Sequence, residues 1–348
     1  MVEYAKYELK NVCSRLSSGK SISSKMISEE GRYPVYGGNG LRGYTDHSNF
    51  SGDCAIIGRQ GAFCGNVRYF CGEAYMTEHA VIVCANNLNN THYLAYLLST
   101  MNLGRLSGQS AQPGLSVKTL GIQEIMLPSI EYQNKVVALL SSLDEKIAVN
   151  NNINDNLQQQ AQAIYSSMFI DNPDPAWSHG HLSDLITVKY GKDHKKLADG
   201  IYPVYGSGGI MRYVERPLYN KESVLIPRKG TLNNVMYVNQ PFWSVDTMFY
   251  TEMKLPNVAK FVYHFVKAKD LASMNAGSAV PSMTTDILNA MEVVIPSASA
   301  LEEFESLVAP MYEAMEANDV QSKALSQIRD TLLPKLMSGE IDVSDVQL

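Results

Sequence analysis

Two stretches of the chain carry an apolar stripe with the spacing of a packed helix. From residue 136 to 168, mostly apolar side chains recur in alternating steps of four and three, and a matching stripe runs from 304 to 336. This is the spacing of a heptad seam, so it predicts two long helices, each with one packed face. Each seam is interrupted at mid-length by two polar residues: Asn150 and Asn154 in the first, Asn318 and Ser322 in the second.

An antiparallel pairing of the two helices would bring these polar interruptions together. Asn150 would face Ser322 and Asn154 would face Asn318, in one polar layer that fixes the register at some cost in stability. The alternative is two amphipathic helices that each pack on their own globular part without touching each other. The match between the polar positions favours the antiparallel pair.

The rest of the sequence alternates short β-rich runs with glycine turns and one short helix in each half. CAIIGR (54–59) and AVIVC (80–84) are such runs. Pro-Ser dipeptides at 128–129 and 296–297 mark the starts of the long helices, and Asn172-Pro173-Asp174-Pro175 ends the first. The predicted organisation is a mixed domain (1–128), a helix (129–170), a second mixed domain (171–296), and a helix with a tail (297–348).

A tandem repeat explains this order. YPVYGGNG (33–40) and YPVYGSGG (202–209) agree at six of eight positions. The register continues, because AIIGRQG (55–61) matches VLIPRKG (224–230) and SAQPGLSVKTL (110–120) matches SAVPSMTTDIL (278–288). We therefore expect an α+β fold, with two pseudo-twofold-related mixed α/β domains separated by two long antiparallel coiled-coil helices.

Composition places the chain among globular proteins. It has 348 residues, 45% of them apolar, and a mean hydropathy of -0.14. The sequence shows neither an export signal nor an apolar run of membrane-spanning length, so we expect a cytoplasmic protein without a membrane partner. All five cysteines lie in the first half and form no CxxC pair, which indicates free thiols rather than disulfides or a zinc site.

The charge is distributed unevenly. The net charge is -6 overall, but residues 1–128 carry +2 and residues 177–296 carry +3, whereas 129–176 carry -4 and 297–348 carry -7. Acidic helices would repel a phosphate backbone, so they are predicted to face solvent or protein. The mildly basic domains could bind DNA, although charge alone does not decide this.

No catalytic motif is recognisable. SSGKS (17–21) lacks the first glycine of a phosphate-binding loop, and the glycine turns lack dinucleotide-binding spacing. HExxH and GxSxG are absent, and the seven histidines are dispersed. The residues therefore predict a protein that is not an enzyme and holds no metal.

Several segments together resemble a known family. YPVYGGNG, IIGRQG, SAQPGLS, LPSIEYQNKV and the later LLPKLMSGEI resemble the specificity (S) subunit of type I restriction–modification systems. The resemblance covers essentially the whole chain, and its specificity lies in the order and duplication of these segments.

This resemblance implies a DNA-binding subunit without catalytic activity. Each target-recognition domain would read one half of a bipartite, asymmetric site in double-stranded DNA. The two helices would separate the domains and bind two methyltransferase (M) subunits, and restriction (R) subunits would join the complex. S-adenosylmethionine, ATP and Mg would belong to those partner subunits, leaving this chain without a cofactor. The seam, about 48 Å long at 1.5 Å per residue, exceeds one turn of B-DNA, about 34–36 Å.

Comparison of the two copies assigns roles to individual residues. Residues that both copies share cannot distinguish two half-sites, so Arg59 and Arg228, with Gln60 and Lys229 beside them, are candidates for phosphate contact. Tyr36 and Tyr205 either stack on the sugar–phosphate edge or pack in the core. Base readers should differ between the copies; the candidates are Asn39, Arg42, Arg68, Gln109 and Gln112, and then Ser207, Arg212, Lys221, Asn233 and Ser278.

A rival interpretation is an adaptor whose duplicated domains bind protein or glycan ligands on a coiled-coil strut. Steeply salt-dependent DNA binding would distinguish the two interpretations. A duplicated hydrolase would require a nucleophile–base pair that the sequence does not offer.

Overall fold

The computed structural model describes residues 2–107, 114–274 and 282–346. The chain divides into two compact units. The first comprises Met1–Asn150 together with Val320–Leu348, and the second comprises Asn151–Asp319. The long helices Ile130–Ser166 and Ala298–Ser338 are each divided between the two units.

The first unit is built around a six-stranded sheet with the order β2-β7-β5-β6-β3-β4. Its strand pairs are antiparallel except for β3 and β6, which run parallel, and β1 pairs separately with β8. Short 3-10 turns occupy Leu9–Val12, Ser24–Met26, Gly61–Phe63 and Leu103–Leu106. The elements are β1 (Ala5–Glu8), β2 (Cys13–Ser18), β3 (Tyr33–Gly37), β4 (Gly40–Thr45), β5 (Phe50–Gly58), β6 (Val67–Met76), β7 (Ala80–Ala85), α1 (Thr91–Thr100), α2 (Val117–Gly121), β8 (Glu124–Leu127) and the start of α3 (Ile130–Ser166).

The apolar runs of the first half form the centre of this sheet. Ile57 of β5 and Val83 of β7 are fully buried against Leu94 and Leu98 of α1. Helix α1 starts at Asn90, whose side chain accepts hydrogen bonds from the backbone N–H groups of the second and third helical residues. The apolar runs CAIIGR and AVIVC therefore form central strands, as the sequence pattern predicted.

The second unit repeats these elements in the same sequence order. Its sheets have the orders β10-β16-β13-β14, β12-β11-β15 and β17-β9. A π-helical turn, Ser167–Asp171, follows α3. The elements are β9 (Ser178–His181), α4 (Leu182–Leu185), β10 (Ile186–Tyr190), β11 (Asp199–Gly206), β12 (Gly209–Val214), β13 (Ser223–Pro227), β14 (Met236–Val238), β15 (Trp243–Ser244), β16 (Met248–Met253), α5 (Ala259–Lys267), α6 (Thr285–Asn289), β17 (Glu292–Ile295) and α7 (Ala298–Ser338).

The predicted duplication is confirmed by this topology. If β14 and β15 are taken as one interrupted strand, the second unit has the strand order of the first, because β14 pairs with β13 and β15 with β11, as β6 pairs with both β5 and β3. Pro241 lies between β14 and β15. A proline has no N–H for a strand ladder, which accounts for a break where the first copy has a continuous β6.

The predicted antiparallel helix pair is confirmed within each unit. In the first unit, Asp144 of α3 binds Arg329 of α7, with 2.6 Å between Oδ1 and Nη1. In the second unit, Tyr165 of α3 packs against Phe304 of α7, with ring centroids 6.2 Å apart. The alternative of two helices that do not touch is therefore excluded.

Candidate nucleic-acid interface

One end of the first sheet consists of turns that main-chain hydrogen bonds tie together. The N–H of Thr77 donates to the carbonyl of Tyr36 at 2.9 Å, and the N–H of Arg59 donates to the carbonyl of His79 at 2.9 Å. The N–H of Leu115 in turn donates to the Arg59 carbonyl at 2.8 Å. We name residues 19–20, 37–40, 59–61, 77–79 and 114–115 the first loop cluster.

The second unit carries the same arrangement at equivalent positions. The N–H of Val245 donates to Tyr205 at 3.1 Å, and that of Arg228 donates to Thr247 at 2.9 Å. The N–H of Met283 closes the set by donating to the Arg228 carbonyl at 3.0 Å. Residues 191–192, 206–209, 228–230, 245–247 and 282–283 form the second loop cluster, so both copies present the same main-chain frame.

A glycine in each cluster permits a close approach of two backbones. A Cβ on Gly19 would lie 2.1 Å from the carbonyl oxygen of Met76, and a Cβ on Gly191 would lie 2.0 Å from that of Val245. Neither contact is compatible with a side chain. These glycines therefore have a structural reason that does not depend on phosphate binding.

The two shared arginines occupy matching positions directly after β5 and β13. Arg59 is half-buried, and its Nη1 lies 3.4 Å from both the Ser18 hydroxyl and the Glu78 carbonyl. Arg228 is also half-buried, with Nη1 3.4 Å from the Asp246 carbonyl and its guanidinium over the Tyr190 ring. Both guanidinium groups thus brace the neighbouring turn while remaining partly exposed.

The structure gathers the other described candidates of the first copy around the same turns. Arg68 donates to the Asn39 carbonyl at 3.4 Å, and its guanidinium packs beside Gly40, whose φ is +101°. Asn39, Arg42, Arg68 and Gln60 are all exposed. Tyr36 is half-buried, with its ring 5.0 Å from that of Phe70.

Only part of the second-copy set lies in the second loop cluster. Ser207 sits in the β11–β12 turn, where its carbonyl accepts a hydrogen bond from the Asn234 side chain at 2.8 Å. Lys229 is exposed next to Arg228. These three positions, Ser207, Arg228 and Lys229, are the second-copy candidates that the structure brings together.

Four further candidates of the second copy are buried, are bound to an acidic side chain, or lie at the opposite end of a strand from the second loop cluster. Tyr205 is only 9% exposed and packs on Phe242, so the core-packing alternative holds for it. Arg212 is engaged by Asp199 at 2.7 Å, and Asn233 by Asp270 at 3.0 Å. Lys221 precedes β13, at the opposite end of that strand from Arg228. Arg212, Asn233 and Lys221 thus lie outside the second loop cluster, and their role as DNA contacts stays a prediction.

The remaining candidates, Gln109, Gln112 and Ser278, lie outside the described residues.

Sequence reasoning missed a lysine in each cluster. The N–H of Lys20 donates to the Met76 carbonyl at 3.0 Å, and the N–H of Lys192 donates to the Ser244 carbonyl at 2.8 Å; both residues are exposed. The sequence feature that could have identified these lysines is a Gly-Lys dipeptide in each copy. The two dipeptides are 172 residues apart, whereas the glycine turns of the repeat are 169 residues apart. Lys195 and Lys196 extend this basic segment, in which the Lys195 N–H holds the pKa of the Asp193 carboxyl below its usual range.

The polar residues of the helix seams also meet. In the first unit, Asn150 is buried and donates to Ser322 at 3.2 Å and to Gln321 at 2.9 Å. In the second unit, Asn318 donates to Asn154 at 2.8 Å. Both expected pairings are thus present as hydrogen-bonded contacts.

Two features of the described residues concern metal binding and thiol reactivity. Among residues 2–107, 114–274 and 282–346, no three His, Cys, Asp or Glu side chains are grouped so that they could hold a metal ion. Burial raises the pKa of Cys13 and Cys54 to about 12, so these thiols remain protonated. Within the same ranges, no helix is long and apolar enough to cross a bilayer.

Comparison with known families gives a match in both halves of the chain. The model of the type I restriction modification DNA specificity domain matches residues 1–159 and 176–304. The two matched ranges follow the internal repeat, with one range in each half of the chain.

Individual relatives are of the same kind. The specificity subunit of the type I restriction enzyme EcoprrI from Escherichia coli is 40% identical over 134 residues, covering 37% of this chain and 33% of that protein. The chain thus matches about a third of that relative's length. The MjaIX specificity subunit from Methanocaldococcus jannaschii is 26% identical over 304 residues, covering 74% of this chain and 70% of its own.

A solved structure has the same fold over nearly the full length. The S subunit of a type I restriction-modification system from M. genitalium superposes with a TM-score of 0.65 at 19% identity, covering 96% of both chains. At this identity the likeness concerns the fold alone.

Proposed function

The chain belongs to the type I restriction modification DNA specificity domain family, and from that premise we propose that it selects the DNA sequence for a type I restriction–modification complex. Each unit would read one half of a bipartite, asymmetric site in double-stranded DNA. The observation that carries this proposal is the pair of loop clusters, which share one main-chain frame and differ in their exposed side chains.

Residues shared by the two clusters and residues that differ between them would have different roles in DNA recognition. Arg59 and Arg228 are identical, equivalently placed and partly exposed, so they suit contact with the phosphate backbone, which is the same in every sequence. Exposed Lys20 and Lys192 add a second cation to each cluster. The phosphate backbone of both half-sites would thus be contacted by equivalent cations.

Base reading falls to the positions where the clusters differ. The first cluster presents Asn39, and exposed Arg42 and Arg68 lie on the strands beside it; the side chains of these residues match adenine or guanine edges in the major groove. The second cluster has Ser207 in the matching turn. Two differently equipped readers on one frame would give an asymmetric site.

The long helices would dock the partner subunits. Their segments carry net charges of -4 (129–176) and -7 (297–348), which suit protein contact rather than DNA contact. We propose two methyltransferase subunits per chain, with restriction subunits joining through them. S-adenosylmethionine, ATP and Mg²⁺ would be bound by those partners.

Genome-wide mapping of methylated sites tests the proposal directly. The full chain is expressed with its cognate methyltransferase subunit in a host lacking other modification systems. We expect one bipartite motif to become methylated, whereas the chain alone should methylate, cleave and hydrolyse nothing. Turnover by the chain alone, or a pair that methylates no defined motif, would contradict the proposal.

Salt dependence of DNA binding distinguishes this function from the adaptor alternative. A DNA reader should lose affinity steeply as salt rises, since phosphate contacts release counterions. Binding with little salt dependence would favour a protein- or glycan-binding adaptor.

A further inference from the structure

The second unit contains a lysine that is enclosed by carboxylates and aromatic rings. Lys260 of α5 is 4% exposed, and its Nζ lies 2.6 Å from Glu305 and 3.2 Å from Glu222. The rings of Tyr237 and Tyr312 lie 5.1 and 5.6 Å from the same nitrogen. A buried ammonium group requires such neighbours, because removal of its water is costly unless it is paired.

The internal repeat gives three members of this cage a chemically similar or polar counterpart in the first unit, whereas Glu305 and Tyr312 correspond to Val137 and Asp144. Lys260 corresponds to His92, Glu222 to Asp53, and Tyr237 to Tyr69. Strand register supports the alignment. Tyr237 pairs with Val224, which lies two residues after Glu222. Tyr69 pairs with Ala55, which lies two residues after Asp53. The same place in the fold can therefore be compared directly.

In the first unit, this place contains no lysine. The His92 ring stacks on Tyr69 with centroids 3.7 Å apart and planes 3° apart, and it stacks on Tyr96 at 4.5 Å. Burial lowers the pKa of His92, so the imidazole is neutral at neutral pH. Across the described residues, the Asp53 carboxylate makes neither an ion pair nor a side-chain hydrogen bond, whereas its counterpart Glu222 binds Lys260.

The space beside Asp53 is an open cavity with a preformed wall. It measures about 420 Å³, and Asp53, Tyr69, His92 and Val137 line it. The 86–90 segment forms its rim and is fixed from behind, since Gln133 donates to Asn89 at 3.0 Å. Exposed Asn87 presents its amide at the edge, where it could hydrogen-bond to a peptide main chain.

We propose that this cavity receives a lysine or arginine side chain from the methyltransferase subunit. The inference rests on the proposed function, and it names a docking point on the first unit. Asp53 supplies the negative charge and Tyr69 an aromatic face, the two kinds of group that hold Lys260 in the second unit. The second unit fills the equivalent place with its own lysine, so the two units would differ in how they engage the two copies of the partner.

Affinity for the cognate methyltransferase subunit tests this inference on the full chain. Asp53→Asn keeps the shape and removes the charge, so we expect the affinity of one of the two binding events to fall tenfold or more, as for loss of a charge-assisted hydrogen bond. His92→Lys should weaken the same event, because the introduced ammonium would occupy the cavity from within. Asp46→Asn removes another exposed carboxylate, from a loop outside the cavity, and should leave both affinities unchanged.

The possible outcomes separate the two proposals. Wild-type binding that Asp53→Asn leaves unaltered would overturn the cation site while the proposed function stands. Failure of the wild-type chain to bind the subunit would overturn both. A rise in melting temperature with spermidine that Asp53→Asn abolishes, without any change in subunit binding, would assign the cavity to a free polyamine instead.

Discussion

Arg59 and Arg228 show how one side chain can serve both the fold and the proposed DNA contact. Each guanidinium reaches a carbonyl of the turn beside it, and each remains partly exposed. We expect Arg59→Ala and Arg228→Ala each to weaken DNA binding about equally for all sequences and to lower the salt slope by ~1. Titration of cognate and non-cognate duplexes at several salt concentrations measures both effects.

Arg216→Ala is the matched control for these two substitutions. Arg216 is exposed and follows β12, away from the β11–β12 turn of the second loop cluster, so its loss should change the salt slope little. A variant of Arg59 or Arg228 that altered only the preferred bases would contradict the phosphate assignment.

His264 makes the stability of the second unit depend on pH. It is fully buried between Gln162 and Tyr312, and burial followed by the nearby Lys267 lowers its pKa from 6.5 to about 4. The unfolded chain binds a proton below pH 6.5 that the folded chain does not accept until about pH 4. The stability contributed by neutral His264 is therefore complete above pH 6.5 and is lost as the pH falls towards 4, by up to roughly 3 kcal/mol.

Tryptophan fluorescence measures this effect in the correct unit, because Trp177 and Trp243, the two tryptophans of the chain, both belong to the second unit. Urea midpoints should fall between pH 6.5 and 4, and His264→Gln should flatten that dependence. His47→Gln, at an exposed site of the first unit, should not. An unchanged slope in the His264 variant would rule out this histidine as the source.

At the scale of the helices, the polar layer of the seam fixes the register of helix pairing and lowers the stability of the pair. Asn154 and Asn318 are half-buried partners in the second unit. We expect Asn154→Leu with Asn318→Leu to raise its stability by ~1 kcal/mol, because apolar packing replaces a polar pair, and to promote wrong helix association. Asn154→Leu alone should lower stability, since the bond from Asn318 and those that Asn154 donates to the Met315 carbonyl and Asp319 are lost.

Fluorescence-detected unfolding and the mass of the assembled species check this prediction. A double variant with unchanged melting and unchanged assembly would exclude the polar layer as a determinant of register.

The elements were more predictable than the site, for a physical reason. Heptad spacing and the internal repeat depend on local periodicity, so they predicted the two long helices and the duplicated domains. The break between β14 and β15 lies at Pro241. It is recognised as a break only by comparison with β6, the continuous strand at the same place in the first unit. The surroundings of Arg212 and Asn233 depend on Asp199 and Asp270, partners that no spacing rule identifies.

At the scale of the whole molecule, each domain should carry its own specificity. Replacing residues 1–128 with the corresponding domain of another family member should change one half-site and preserve the other, because the second loop cluster is built entirely within the second unit. Replacing residues 171–296 is the reciprocal control and should change the other half-site. Mapping of methylated sites reads both results, and an exchange that left both half-sites unchanged would refute the recognition assignment.

The composition of the first unit also determines when it can fold during synthesis. Its core includes Leu336, Met337 and Val343, which belong to the same buried cluster as Leu9, and Tyr4 packs against Gly339. The second unit is continuous from 151 to 319, so it can fold on the ribosome before those residues exist. The first unit cannot complete its core until residues 320–348 have been synthesised, although most of this unit is synthesised before the second unit. We therefore expect nascent chains that stop near residue 320 to have a protease-resistant second unit and a first unit that still needs chaperones.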